Sequence, residues 1–216
     1  MFPRCFPHVT NIATKTGLKH LTKIPSDDPE VEALNGDVVA AVRKLVNACR
    51  ASGQRRELLE EIIKKGNADG SFDLRIVTLL RDVDTRWSST FLMIDRLLEM
   101  YPAVKRLLEC PELSDITDLT ANQLQVLKDI RLFLNVFHTA QQIVSAEQTP
   151  TLSIVIPVYE HLIGMLEDLK RHVPNISHAI QASIGKLEEY LEKSRSNKVY
   201  VLAMCKLSIP QLPSNL

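Results

Sequence analysis

The chain has 216 residues, enough for one or two domains with a sizeable core. Its 26 lysines and arginines balance 26 aspartates and glutamates, so no global field draws it to nucleic acid or to an anionic membrane, and any DNA contact must be local. Hydrophobic residues at 45% and charged residues at 24% exclude wholesale disorder. No apolar run reaches the length of a membrane span, and the opening Met1-Phe-Pro-Arg-Cys-Phe-Pro-His8 lacks the apolar centre of a signal peptide. A location inside the cell is expected.

In chain order, residues 1–24 combine prolines, the spacing Cys5-x-x-His8, and a basic, partly apolar stretch from Asn11 to Lys23. Ile12, Lys15 and Lys19 share one helical face, while Ala13, Gly17 and Leu21 share another, which predicts a short helix. Lys15, Lys19, His20 and Lys23 form a small basic cluster that reads as a solvated face or as a phosphate contact. Cys5 and His8 supply two of the four ligands of a structural zinc. With no second pair, zinc is not expected, and the scattered Cys5, Cys49, Cys110 and Cys205 are expected as thiols. Residues 25–36 are rich in Pro, Ser and Asp and read as a linker.

From there the chain reads as helical. Asp37 is the predicted N-cap of a helix lined by Val38, Val42, Leu45, Val46 and Cys49, ending near Gly53. A second helix, Gln54 to Lys65, would bury Leu58, Leu59, Ile62 and Ile63, with Gly66-Asn-Ala-Asp-Gly70 terminating it. Leu74 to Leu80, short and partly β-branched, is the best strand candidate, with a helical turn as the alternative.

Asp82-Val-Asp-Thr-Arg-Trp-Ser-Ser-Thr90 then leads into the stripe Phe91, Ile94, Leu97, Leu98, Tyr101, Val104 and Leu108, the signature of a buried helix. Ser88, Ser89 and Thr90 are the predicted capping residues, with Arg86 and Trp87 just ahead of the first turn. A helix N-terminus beside an arginine suits phosphate, and an indole face suits a splayed base. Physical grounds favour a structural pairing instead, with Trp87 as core anchor and Arg86 bound to Asp82 or Asp84.

The second half is predicted all-helical. Thr120-Ala-Asn-Gln123 is a capping box opening a helix lined by Leu124, Leu127, Ile130, Leu134 and Phe137. Val155, Val158, Leu162, Met165, Leu166 and Leu169 line the next. Pro174 opens a last one with Ile176, Ile180, Ile184, Leu187 and Leu191. His138, His161, His172 and His178 read as boundary histidines, not catalytic ones. Val199 to Met204 is apolar and expects a partner; residues 205–216 form an irregular tail. There is no phosphate-binding glycine loop, nucleophile elbow or His-Glu-x-x-His pair.

Three segments in this order, Arg4-Cys5-Phe-Pro-His8-Val-Thr-Asn11, Asp82 to Leu98 with its core Thr85-Arg86-Trp87-Ser-Ser-Thr90, and Pro150-Thr-Leu-Ser-Ile-Val-Ile-Pro157-Val-Tyr159, resemble the hobo/Activator (hAT) superfamily of DNA transposases. In that family a ribonuclease H-like core, with an Asp-Asp-Glu set that binds divalent metal such as Mg, is interrupted by a large helical insertion. The resemblance implies a mainly α fold with at most one or two short strands: residues 1–24 as a core remnant, 25–36 as linker and 37–204 as the helical insertion domain. It implies that Cys5 and His8 belong to the motif that organises the core, and that Arg86 and Trp87 match the pair contacting a flipped base. That implication reverses the structural preference for Trp87.

The departures shape the functional expectation. The first two family aspartates lie upstream of Cys-x-x-His, and only four residues precede Cys5 here. The final glutamate lies beyond the insertion, and Cys205-Lys-Leu-Ser-Ile-Pro210 stands where a Leu-Asn/Asp-Pro motif would follow. A BED-type zinc finger is expected upstream in the family and is not seen. The expectation is a transposase-derived fragment with no catalytic residues, no metal and no cofactor, and with residual DNA binding through Arg86, Trp87, Lys15, Lys19 and Lys23. The alternative is a helical protein-binding module, for an intact transposase or a second copy, or a remnant without function, and an active DNA transposase is the last reading. No membrane or small-molecule partner is expected, and the family implies a nuclear location.

Overall fold

The structure, a computed structural model, describes residues 6–21, 37–83, 86–113, 116–146 and 155–198. Among these residues there are seven α-helices and no strand: α1 (Phe6–His20), α2 (Val38–Cys49), α3 (Gly53–Ala68), α4 (Trp87–Leu108), α5 (Ala121–Ala146), α6 (Val155–His172) and α7 (Ser177–Arg195). None of the described helices is long and apolar enough to cross a membrane. Two compact units result. One contains α1, α5 from Asn135 onward, α6 and α7; the other contains α2, α3, α4 and α5 as far as Leu134.

In the first unit α7 packs against both α1 and α6. The predicted α7 stripe is buried at Ile180, Ile184, Leu187 and Leu191, with Ile176 buried in the turn before it. The inner face of α6 is set by Val155, Ile156, Tyr159, Leu162 and Leu166, so Tyr159 and Ile156 take the place expected for Val158 and Leu169. α1 begins earlier than its periodicity suggested, because Phe6, Val9 and Thr10 extend the buried face of Ala13, Thr14 and Gly17. Small residues there let α7 approach closely, and Ser183 Oγ donates to the Ala13 carbonyl across the buried contact at 2.9 Å. At the end of α1 the His178 ring nitrogen Nε2 lies 2.9 Å from the His20 carbonyl. The expectation set residues 1–24 apart from 37–204. The described part of that segment instead shares a compact unit with α6 and α7, because its apolar face is covered by α7.

The second unit follows its caps. Asp37 accepts from Ala40 N at 2.9 Å and starts α2. Ser52, an unpredicted cap, accepts from Arg55 N at 3.2 Å and starts α3. Thr120 and Gln123 form the predicted reciprocal box, with bonds of 2.9 and 3.2 Å. α3 runs through Gly66 to Ala68, and the terminating left-handed residue is Gly70, with φ +76. Gly66 is needed for another reason. A Cβ there would overlap the ring of Phe72, whose backbone N–H bonds to the Gly66 carbonyl at 2.9 Å.

Residues 74–80 are not the expected strand. No neighbouring strand pairs with them, and side chains satisfy the backbone instead: Asn67 brackets Leu74 with bonds of 2.7 and 3.0 Å, Arg96 donates to the Thr78 carbonyl at 3.0 Å, and Arg50 donates to that of Leu79. α4 is buried on more than one stripe. Met93, Met100, Ala103 and Leu107 are enclosed along with Phe91, Ile94, Leu97 and Val104, which makes it the central helix of this unit.

Candidate nucleic-acid interface

The segment entering α4 is held from three directions. Arg86 N bonds to the Val83 carbonyl at 2.9 Å, making an isolated bridge between the two residues. Ser89 Oγ accepts from Val83 N at 2.8 Å and lies 2.6 Å from the Arg86 carbonyl as donor. Beneath, Asp82 Oδ2 accepts from Arg43 Nε at 2.7 Å and from Thr90 Oγ1 at 3.3 Å. The carboxylate is almost enclosed, with its side chain 9% exposed. Asp82 therefore ties α2 to the start of α4 and is not the partner of Arg86. Asp84 lies outside the described residues.

Helix α4 starts at Trp87, one residue earlier than expected, and Arg86 is its N-cap in an extended conformation, φ −128 and ψ 110. The side chain of Arg86 makes no capping hydrogen bond. Ser88, Ser89 and Thr90 thus sit inside the first turn, and two of them are committed to Val83 and Asp82. Arg86 is exposed, beside the positive end of the helix dipole. Trp87 is 4% exposed, so in this arrangement its indole packs in the core and offers no open face to a base.

The other expected contacts lie on α1, in the first unit. Lys19 is exposed, Lys15 is half-buried one turn before it, and His8 is exposed in the first turn. Lys23 and Cys5 lie outside the described residues, as does the apolar segment 199–204. A basic group that periodicity did not reveal gathers in the second unit, where Arg56 and Arg81 stand close enough to Arg50 to lower its pKa, after the larger effect of burial. Its signal in the sequence was the density of arginine around the Ser52-Gly53 break: Arg50, Arg55 and Arg56.

Three further acids of this unit are engaged. Glu99 receives both Nε and Nη2 of Arg75 at 2.6 Å, and this pairing, with Arg96 adding to it, holds its carboxyl below the usual range. Asp95 bonds to Arg131 at 2.5 Å, and Asp118 accepts from Tyr101 at 2.7 Å. Among the described residues no group of three or more His, Cys, Asp or Glu is arranged to hold a metal ion.

A family model described as the ZBED1 RNase-like helical domain matches residues 4–133, more than half of the chain. The chain belongs to this family. The matched part of this ZBED1-type helical domain runs from α1 into α5 and includes Lys15, Lys19, Arg86 and Trp87. Human zinc finger BED domain-containing protein 4 is 23% identical over 202 residues, which cover 93% of this chain and 15% of that protein. The ZBED1-type chain thus spans less than one sixth of the length of that relative. No solved structure matches it.

Proposed function

We propose that this chain is a transposase-derived helical domain of hAT origin that cleaves no DNA and retains a DNA contact through phosphate, led by Arg86, with Lys15, Lys19 and Lys23 contributing. The observation that carries the reading is the exposed Arg86 at the N-terminal end of α4, braced by Ser89 and by the Arg43–Asp82–Thr90 network. Such an end favours an anion. The burial of Trp87 gives it the role of bracing that end, so base stacking needs a local rearrangement. Nuclear location follows from the same reading.

The test is an anisotropy titration of a short DNA hairpin carrying an unpaired base, at two salt concentrations. Saturable binding that weakens with salt is expected, and Arg86→Ala should lower the salt slope by roughly 0.9, the loss of one phosphate contact. Trp87 fluorescence should stay constant. Quenching of Trp87 would instead support the base contact, and no binding by folded protein would refute the proposal.

The second reading is a helical module that binds an intact transposase or a second copy. It is favoured by Leu92 and Leu132, 44% and 42% exposed, both in the second unit. Sedimentation of the full chain as a monomer at all concentrations would exclude self-association.

A further inference from the structure

Between the α2–α3 hairpin and the extended residues 76–79 lies a small cleft of about 110 Å³, lined by Arg50 and Arg56 and walled by Leu59, Ile76 and Thr78. Arg50 reaches in from the end of α2. Its Nη1 donates to the Leu79 carbonyl, while its Nε is buried and has no hydrogen-bond partner among the described residues. A guanidinium keeps its charge, so an enclosed N–H without an acceptor is an unrelieved positive site.

Two further arginines add to it. Arg56 lies in the first turn of α3, which contains Arg55 as well and no acid, so the positive end of the helix dipole meets like charge. Arg81, exposed two residues after Leu79, is near enough to act on Arg50. Arg55 is directed to the Ala48 carbonyl at 2.9 Å. The acid lining the cleft, Glu60, is 2.6 Å from Lys64 Nζ. Two guanidiniums, those of Arg50 and Arg56, thus line a space too small for a folded partner, and among the described residues neither is matched there by a carboxylate in hydrogen-bond contact.

We propose that this cleft binds a phosphate-class oxyanion, with Arg50 and Arg56 as its cationic contacts and the charge of Arg81 adding to the local field. Phosphate suits the planar donor forks of arginine and has charge enough to offset more than one of them. The anion is either a phosphodiester of DNA or a free phosphate compound, and the chemistry of the cleft is common to both.

The experiment uses the full chain, labelled with nitrogen-15 and titrated with inorganic pyrophosphate at low salt. Saturable shifts are expected at the Arg50 Nε–H and at the amides of Arg56 and residues 77–81. The exposed-site variant R56Q/R81Q should bind at least tenfold more weakly with an unchanged melting temperature; Arg56→Gln alone serves if the double variant unfolds. R86A should leave the pyrophosphate response intact, which separates this site from the DNA contact proposed at α4. Displacement of pyrophosphate by duplex DNA would assign the phosphodiester. Pyrophosphate binding without competition would assign a free phosphate compound. Lack of saturable shifts, equal affinity in the arginine variants, or loss of the response in R86A would overturn the proposal.

Discussion

Gly66→Ala should destabilise this protein although alanine is the better helix former, and its sign should reverse when Phe72 is removed. Gly66 lies inside α3 with no positive φ, so the backbone accepts alanine, and the helix gains about 0.8–1.0 kcal/mol. Against that gain, the new Cβ would overlap Cδ2 and Cε2 of Phe72 and lie 2.9 Å from its Cγ. The ring must leave. It is half-buried, so its displacement loses roughly 1–2 kcal/mol of apolar burial. It also gives up the Arg106 guanidinium, 4.3 Å from the ring centroid, a contact worth about 0.5–1 kcal/mol. The balance is a loss of about 1–2 kcal/mol for Gly66→Ala alone. In the Phe72→Ala background the obstacle is gone, and the same substitution should stabilise by up to about 1 kcal/mol. Urea unfolding followed by circular dichroism and by the single tryptophan, Trp87, measures both. Destabilisation of equal size in the two backgrounds would refute the argument that Phe72 is what demands glycine.

Ser183→Ala removes the buried bond to Ala13 and should lower stability by about 1 kcal/mol in the same assay, with amide exchange rising in α1. Asp82→Ala leaves Arg43 and Thr90 without their shared acceptor, so Trp87 emission should move to the red as the entry to α4 loosens. Burial pushes the Cys49 thiol from 9.0 up to about 11, so between these values the unfolded chain loses its proton first and stability should fall as pH rises. Cys49→Ala should flatten that fall. Native alkylation mapped by mass spectrometry should modify half-exposed Cys110 well before buried Cys49. Above pH 10 Tyr101, whose phenol is raised by burial and by Asp118, should add a second alkaline loss that Tyr101→Phe removes.

Helix existence was readable because it depends on local spacing and caps. Asp37, the Thr120–Gln123 box and the α7 stripe each act within a few residues of themselves. The family was readable for the same kind of reason, since Thr85-Arg86-Trp87-Ser-Ser-Thr90 is a contiguous string. What failed required a distant partner. Residues 74–80 have strand-like composition, but a strand needs a neighbour, and Asn67, Arg96 and Arg50 take that place. The sequence offered Arg86 as the partner of Asp82 or Asp84, and the arginine that holds Asp82, Arg43, comes from another helix.

The same division holds for the candidate sites. That Arg86 and Trp87 begin a buried helix is a matter of periodicity, which the chain carries along its length. Whether the indole faces inward or outward depends on which helices close over it, and here they enclose it. Arg50 and Arg56 belong to an electrically neutral chain and line one cleft only when the α2–α3 hairpin folds against residues 76–79. Local propensity and patterning set the helices of this protein; the burial of Trp87 and the gathering of like charges arise from contacts between residues far apart in sequence, which no window of neighbours encodes.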